Sequence, residues 1–270
     1  MSSIRKARPS EGPAGQHWRA AALALWLGGL ALLVGLLGAC DVADAPTTPE
    51  ASNQGGVVAT GVPGALPDVP NKVKPGEITF EGCPPEGDGG DPVLNQLKNR
   101  VDAATYVPVT FDAVIKLKWP VDTERKRHAS WSASDAAQIG RYEGIPIAVE
   151  GFLEGAKEEG PETPNCHGAD LTQHDFHIWL TKTAGEDRVR SIVVEATPRV
   201  RAKHQGWHVD VLNRVSRALA RVRVSGWLML DPEHPDQLGK TRGTIWEIHP
   251  IMQVEVQQQG RWVTLDDYTQ

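Results

Sequence analysis

The stretch DVLNRVSRALARVRVSGWLMLD, residues 210–231, contains a helical pattern followed directly by a strand pattern. In its first half, Val211, Val215 and Leu219 recur every four residues, which places them on one side of a helix. Its second half, residues 222–231, is an apolar run with β-branched residues, which predicts a strand. A helix at this point limits how the strands on either side of it can be arranged.

Four further strands are predicted around this helix and its strand. Three precede the helix and one follows, at IPIAVEGFLEGAK (145–157), DFHIWLTK (175–182), VRSIVVEATP (189–198) and GTIWEIHPIMQVEV (243–256). In the second of these, Phe176, Ile178 and Leu180 share one face, and His177 and Trp179 share the other.

Three strands, a helix and two strands form the element order of the OB fold. Residues 145–258 therefore resemble that fold, and in particular its staphylococcal-nuclease-like variety. The resemblance rests on element order and on no motif. It implies a mainly β fold class with minor α: an OB-like five-stranded barrel with a helical N-terminal extension, placed at residues 145–270 and 77–144.

The extension has patterns of its own. Asp91 and Pro92 start a predicted helix, because proline is favoured at the first helical position. VPVTFDAVIKLKWP, residues 107–120, is predicted to be extended. SASDAAQIGRYEG, residues 132–144, is predicted to be a capped helix that ends at Gly144.

The N-terminus resembles the signal peptide of bacterial lipoproteins. Basic residues precede an apolar run from Ala20 to Leu37, and residues 37–40, LGAC, resemble a lipobox. The resemblance implies cleavage after residues 1–39, a lipid on Cys40, and a lipid-anchored protein at the extracytoplasmic side of the cell membrane, either periplasmic or on the outer face. An uncleaved anchor helix is the alternative, since the run is near the lower length limit for spanning.

Residues 40–76 are rich in Ala, Pro, Gly and Thr and show no regular period, so they are predicted to be a disordered tether. Beyond Cys40, two cysteines remain, Cys83 and Cys166. An even pair outside the cytoplasm predicts a disulfide. Two free or metal-bound thiols are the alternative.

Charge argues against nucleic acid as a partner. The chain has 28 basic and 34 acidic side chains and a formal net charge of −6, whereas nucleic-acid binding depends on neutralising phosphates. One local stretch is basic, with Arg188, Arg190, Arg199, Arg201, Lys203, Arg214, Arg217, Arg221 and Arg223 opposed by Glu195 and Asp210. This stretch could bind an anionic ligand or membrane headgroups, with Trp179, Trp207 and Trp227 as stacking faces. It could equally be a solvated face paired with acidic loops of the same chain.

Histidines raise the question of a metal. His174, His177 and His249, with Asp175, are the candidate ligands. His174 and His177 are three apart, so on one strand they face opposite sides. No CxxC or HExxH pattern is present, and the sequence predicts no cofactor, while histidines hydrogen-bonded at strand ends are the alternative to a metal.

TRGTIWEIHP, residues 241–250, places Glu247 and His249 on one strand face. The carboxylate would stabilise a charged imidazole. The pair could position a ligand or lend a proton, or it could close a structural hydrogen-bond network with Arg242 or Asp175.

The sequence thus favours a non-catalytic binding or interaction module of the cell envelope, whose partner is an unknown anionic ligand or an envelope protein. Its predicted ligand-binding face comprises His177, Trp179, Trp227, Arg242, Glu247 and His249. The alternative is a metal-dependent hydrolase or phosphodiesterase of the staphylococcal-nuclease-like type, with Glu150, Glu154, Asp175, Arg190 and Arg242 put forward. A purely structural envelope component is a third hypothesis. The stretch from CPPEGDGGDPVLNQLKNRVD (83–102) through TIWEIHPI (244–251) also resembles an uncharacterised bacterial exported family, which implies no activity.

Overall fold

The computed structural model describes residues 56–67 and 79–269. The predicted signal peptide, Cys40 and most of the predicted tether lie outside these residues. Within the described part of the chain, no helix combines the length and the apolar character needed to cross a membrane.

Eight strands and five helices are described. The strands are β1 (Gly56–Val58), β2 (Ala104–Val109), β3 (Pro146–Glu158), β4 (Phe176–Thr181), β5 (Ile192–Ala196), β6 (Arg221–Leu230), β7 (Trp246–Gln258) and β8 (Arg261–Thr264). The helices are α1 (Pro92–Lys98), α2 (Phe111–Ile115), α3 (Ala133–Ile139), α4 (Pro198–Arg201) and α5 (Val209–Arg217).

Five of the strands form a closed barrel. Their order is β3-β4-β5-β7-β6, and β6 pairs back onto β3. β5 and β7 run parallel, and the other neighbouring pairs are antiparallel. Helix α5 lies between β5 and β6 in the chain and packs against β3. The mainly β, OB-like five-stranded barrel predicted from the element order is confirmed.

Closure depends on two long, bent strands. β3 and β7 have 13 residues each. Phe152 of β3 pairs with Thr181 of β4 and with Arg221 of β6, so one strand serves both ends of the sheet. β6 shifts its register against β7 at Gly226, where an added Cβ would lie 2.3 Å from the carbonyl oxygen of Pro250. Such bulges bend strands and allow a sheet to close.

The barrel interior holds the core. Phe176, Ile178 and Leu180 of β4 belong to it, as the alternation predicted. The helix predicted from residues 210–220 is present, and Val215 is buried on its inner side. It ends at Arg217, so Leu219 lies beyond it with a positive φ of 49° and is exposed. The four-residue period did not reveal this early end.

The extension departs from its prediction in two places. α1 begins at Pro92 with Asp91 as its cap, as predicted. The extended prediction for residues 107–120 is wrong beyond Val109, because the Thr110 side chain caps α2 by accepting a hydrogen bond from the Ala113 amide. α3 begins after Ser132 but ends at Ile139, with Gly140 and not Gly144 at its C-terminus.

Part of the predicted tether is folded. β1 pairs in parallel with β2, and Val58 and Leu66 pack against the core. The tether prediction is therefore wrong for the described residues 56–67, because two apolar side chains in this segment find the edge of the sheet. The remaining tether residues lie outside the description.

Candidate functional site

A row of polar side chains crosses the outer face of three adjacent barrel strands. His177 of β4 pairs in register with Glu195 of β5, and β5 lies beside β7, which carries Glu247 and His249. Each of these residues alternates with core residues such as Ile178, so each points away from the barrel interior. These four residues are called the polar row.

Two segments, residues 83–100 and 162–175, lie over the half of the polar row formed by Glu247 and His249 and are called the roof. Helix α1 contacts both β7 and the turn Thr163–Asn165. The disulfide between Cys83 and Cys166 joins the two segments, which confirms the predicted pairing. Arg199 of α4 contacts both segments, with Nη1 donating to Asn99 Oδ1 at 2.7 Å and to Asn165 Oδ1 at 3.3 Å, and Nη2 donating to the Cys83 carbonyl at 3.0 Å. As a result, Glu247 and His249 are 0% exposed.

Glu195 is shared between two histidines. Its Oε1 lies 2.8 Å from His177 Nδ1 and its Oε2 lies 3.2 Å from His249 Nδ1. His177 Nδ1 is also 3.0 Å from Glu159 Oε1. The carboxylate therefore connects the covered part of the polar row to its open end.

His249 is surrounded by acids. Its Nε2 lies 3.3 Å from Asp175 Oδ2, and its Nδ1 lies 3.5 Å from Glu247 Oε2. Glu247 Oε1 accepts from Arg242 Nη1 at 2.5 Å, and the same nitrogen is 3.5 Å from Asp231 Oδ2. Arg242 thus hydrogen-bonds Glu247, whereas the contacts of His249 with Asp175 and Glu247, at 3.3 and 3.5 Å, are long for hydrogen bonds.

The carboxylates determine the protonation of both histidines. Burial disfavours the imidazolium of His177, but hydrogen bonds with Glu159 and Glu195 outweigh burial and raise its pKa to about 9. Burial also disfavours charge on His249, but the nearby carboxylates, above all Glu195 through its negative charge, raise the pKa of His249 to about 10. Burial would raise the pKa of Glu195, but the attraction of His249 and the hydrogen bond from His177 lower it strongly.

Two further ionisable groups, the half-buried Glu162 and the buried Lys98, lie near this network. Burial raises the pKa of Glu162 to about 8, although the positive charge of Lys98 opposes this. Burial disfavours the ammonium of Lys98, but Asp231 and other nearby carboxylates hold its pKa well above the usual value.

A cleft of about 340 Å³ opens at the uncovered end of the polar row. It lies between the β3–β4 loop, residues 159–175, and the β6–β7 loop, residues 231–245. It is lined by His177, Trp179 and Glu195 from the barrel strands and by Lys240 and Thr241 from the β6–β7 loop. OB barrels bind ligands on the face of their second and third strands, between these same two loops.

The structure divides the predicted ligand-binding face. His177, Trp179 and Arg242 line the cleft. Glu247 and His249 are beneath the roof and fully buried. Trp227 does not line the cleft, because it is buried in the core with the Arg100 guanidinium 3.4 Å from the centre of its ring.

The predicted metal ligands are also divided. Among the described residues, two groups could hold an ion: one is Glu159, His177 and Glu195, and the other is Asp175, Glu195 and His249. His174 belongs to neither group, and its Nε2 lies 3.1 Å from the Gly168 carbonyl oxygen. The three predicted histidines therefore do not share one site.

The basic stretch is largely engaged within the chain. Arg221 pairs with Glu150 at 2.7 Å, and Arg223 pairs with Glu255 at 2.6 Å. Arg199 and Arg201 donate to backbone carbonyls, and Arg188 pairs with Glu154 and lies over the Trp179 ring. Trp207 is buried and stacked on His204. Internal pairing, which was the alternative to an anion-binding surface, accounts for these side chains.

The residues put forward for nuclease chemistry are not brought to one place. Glu150 and Glu154 hold the arginines just described, and Arg190 is exposed beside Glu186 at 3.5 Å. Two of these residues do reach the polar row: Asp175 contacts His249, and Arg242 contacts Glu247.

Sequence reasoning missed Glu195 and Glu159 as site residues. The signal for Glu195 was its outward position on the third strand of an OB order, because that strand lies beside the fifth strand, which carries Glu247 and His249. Glu159 follows β3 directly, and no pattern distinguishes it from the acidic residues around it.

The chain matches no protein-family model, and no curated protein sequence matches it significantly. What the site can bind is therefore argued from its own side chains.

Proposed function

We propose that this chain is a lipid-anchored binding module of the cell envelope and that the cleft takes a small polar ligand. The observation that carries the proposal is the position of the cleft, on the second and third barrel strands between the β3–β4 and β6–β7 loops. That position is where OB barrels accommodate ligands.

The walls of the cleft indicate the chemistry of the ligand. A volume of about 340 Å³ suits a small molecule and is at the lower end of ligand pockets. The exposed side chains of Lys157 and Lys240 offer positive charge, while Glu159 offers an acceptor. These groups support a ligand that combines an anionic group with hydrogen-bond donors.

The location at the envelope is supported by two features. The LGAC motif ending at Cys40 resembles a lipoprotein signal, and the disulfide between Cys83 and Cys166 suits an oxidising compartment.

A metal-dependent hydrolase of the nuclease-like type is the alternative, and its support is weaker. The acids Glu150 and Glu154 are engaged by arginines outside the cleft. Only Asp175 and Arg242 of its proposed set reach the polar row.

The test uses full-length chain extracted from its native membrane in mild detergent. Mass spectrometry of the denatured preparation identifies small molecules that were bound and also reports the N-terminus. We expect one small polar compound per chain and a chain that begins at acylated Cys40.

The matched variants are Thr241→Trp and Thr172→Trp. The first puts an indole into the cleft, and the second puts the same group on an exposed position of the β3–β4 loop that does not line it. The compound should be lost from Thr241→Trp and kept by Thr172→Trp. Equal recovery from both variants, or no compound with the unaltered chain, would refute the cleft as the ligand site.

A further inference from the structure

His249 has surroundings that ordinary hydrogen bonding does not explain. Its ring is fully buried among Asp175, Glu195 and Glu247, at 3.2 to 3.5 Å. Charge-assisted hydrogen bonds between such groups are usually 2.7–2.9 Å long. Both ring nitrogens, together with Asp175 Oδ2 and Glu247 Oε2, are buried without a hydrogen-bond partner. Buried polar atoms left in this way call for a cause such as a bound ion.

The three carboxylates are each held by a donor on their other oxygen. Asn165 Nδ2 lies 2.8 Å from Asp175 Oδ1, His177 Nδ1 lies 2.8 Å from Glu195 Oε1, and Arg242 Nη1 lies 2.5 Å from Glu247 Oε1. Each carboxylate therefore has one oxygen fixed and one oxygen directed at the same imidazole. Carboxylates that bind metals are commonly oriented by such hydrogen bonds.

We propose that Asp175, Glu195 and His249 form a binding site for one divalent transition-metal ion of the Zn²⁺ type. One oxygen from each acid and one ring nitrogen lie within 4.8 Å of one another. Bonds of 2.0–2.1 Å in a tetrahedron separate neighbouring ligand atoms by about 3.3 Å. His249 approaches the two acids through different ring nitrogens, with Nδ1 3.2 Å from Glu195 Oε2 and Nε2 3.3 Å from Asp175 Oδ2. The nitrogen that binds the ion therefore has one acid at the tetrahedral separation and the other within 4.8 Å.

The donor set selects the class of ion. An imidazole nitrogen favours a transition metal over Ca²⁺ or Mg²⁺, which prefer oxygen ligands. Two carboxylates balance the charge of a divalent ion. The ring nitrogen that does not bind the ion keeps its hydrogen for a neighbouring carboxylate, which is the usual arrangement for metal-bound histidine.

The second group, Glu159, His177 and Glu195, is a weaker candidate. His177 lies 3.0 and 2.8 Å from its two acids, which are ordinary hydrogen-bond lengths, so its pairing is satisfied without an ion. Glu195 also lines the cleft, so one ligand of the inner group borders the solvent-facing space.

The test measures zinc bound to full-length chain in detergent after stripping with EDTA, titration with ZnCl₂ and dialysis. A Cys40→Ser background removes the one thiol outside the disulfide. We expect one zinc per chain, and an affinity at least about 100-fold lower for Asp175→Asn and for His249→Gln. His204→Gln is the control, because His204 pairs with Asp266 at 2.7 Å outside the site, and it should keep the wild-type affinity.

Absence of zinc binding by the parent chain overturns the proposal, and so does wild-type affinity in Asp175→Asn. If either variant fails to fold, X-ray absorption spectroscopy of the zinc-loaded Glu159→Gln variant decides, because that change removes a ligand of the second group. One imidazole with oxygen ligands supports the site, whereas loss of bound zinc, or sulfur or two imidazoles around it, refutes it.

Discussion

Replacing Cys83 and Cys166 by serine should destabilise the chain without abolishing the fold. The bond closes a loop with a sequence separation of 83 residues. In the chain-entropy treatment, a loop of this length stabilises the folded state by about 4.5 kcal/mol. The roof keeps its non-covalent contacts, among them Asn99 Nδ2 donating to the Pro164 carbonyl at 2.8 Å. The double variant should therefore still fold.

The assay is urea unfolding of full-length chain in detergent, followed by tryptophan fluorescence, with a thermal scan beside it. We expect a fall in the free energy of unfolding of about 4.5 kcal/mol and a Tm lower by roughly 10–15 °C for a domain of this size. Wild-type chain treated with reductant should match the double variant, and Cys40→Ser should match the wild type. A double variant within about 1 kcal/mol of the wild type would refute the argument that the cross-link restricts the unfolded chain.

Two other predictions concern the barrel and pH. Gly226→Ala should lower the free energy of unfolding by about 2 kcal/mol or more, because the new Cβ would lie 2.3 Å from a backbone oxygen of β7. Gly160→Ala is the control: Gly160 has open space around it, so this substitution should change the free energy of unfolding little. A similar effect of both substitutions in urea titrations would contradict this. Burial opposes a charged His128, but Glu143 and then Asp91 raise its pKa above the usual value of 6.5. The charged imidazole therefore stabilises the fold fully below pH 6.5, and this contribution is lost as the pH rises through the raised pKa. The stability difference between wild type and His128→Gln should shrink over that range, and a difference independent of pH would contradict the assignment.

The order of barrel strands was predictable because each strand has a local signal. The alternation of Phe176, Ile178 and Leu180 and the four-residue spacing of Val211 and Val215 are set by neighbours in the chain. The OB order then places β5 beside β7, although Glu195 and His249 are more than fifty residues apart.

Burial of the polar row was not predictable in the same way. A strand pattern with His177 or Glu247 on its outer face predicts exposure, because the pattern holds no information about a distant segment that covers that face. The roof supplies that cover from residues 83–100, well before the barrel in the chain. Trp227 was misjudged for the same reason, since Arg100 covers it. Thr110 was misjudged because a cap depends on one side-chain hydrogen bond within a run that otherwise favours extension.

The position of the roof in the chain also limits when it can fold onto the barrel. Ribosomes release α1 long before β7, the strand against which it packs, because β7 ends at Gln258. Until β7 has been synthesised, Lys98 lacks the carboxylate of Glu247, one of the charges that hold its ammonium in the buried state. The covered half of the polar row is consequently among the last parts of the molecule to be completed, after the barrel beneath it has closed.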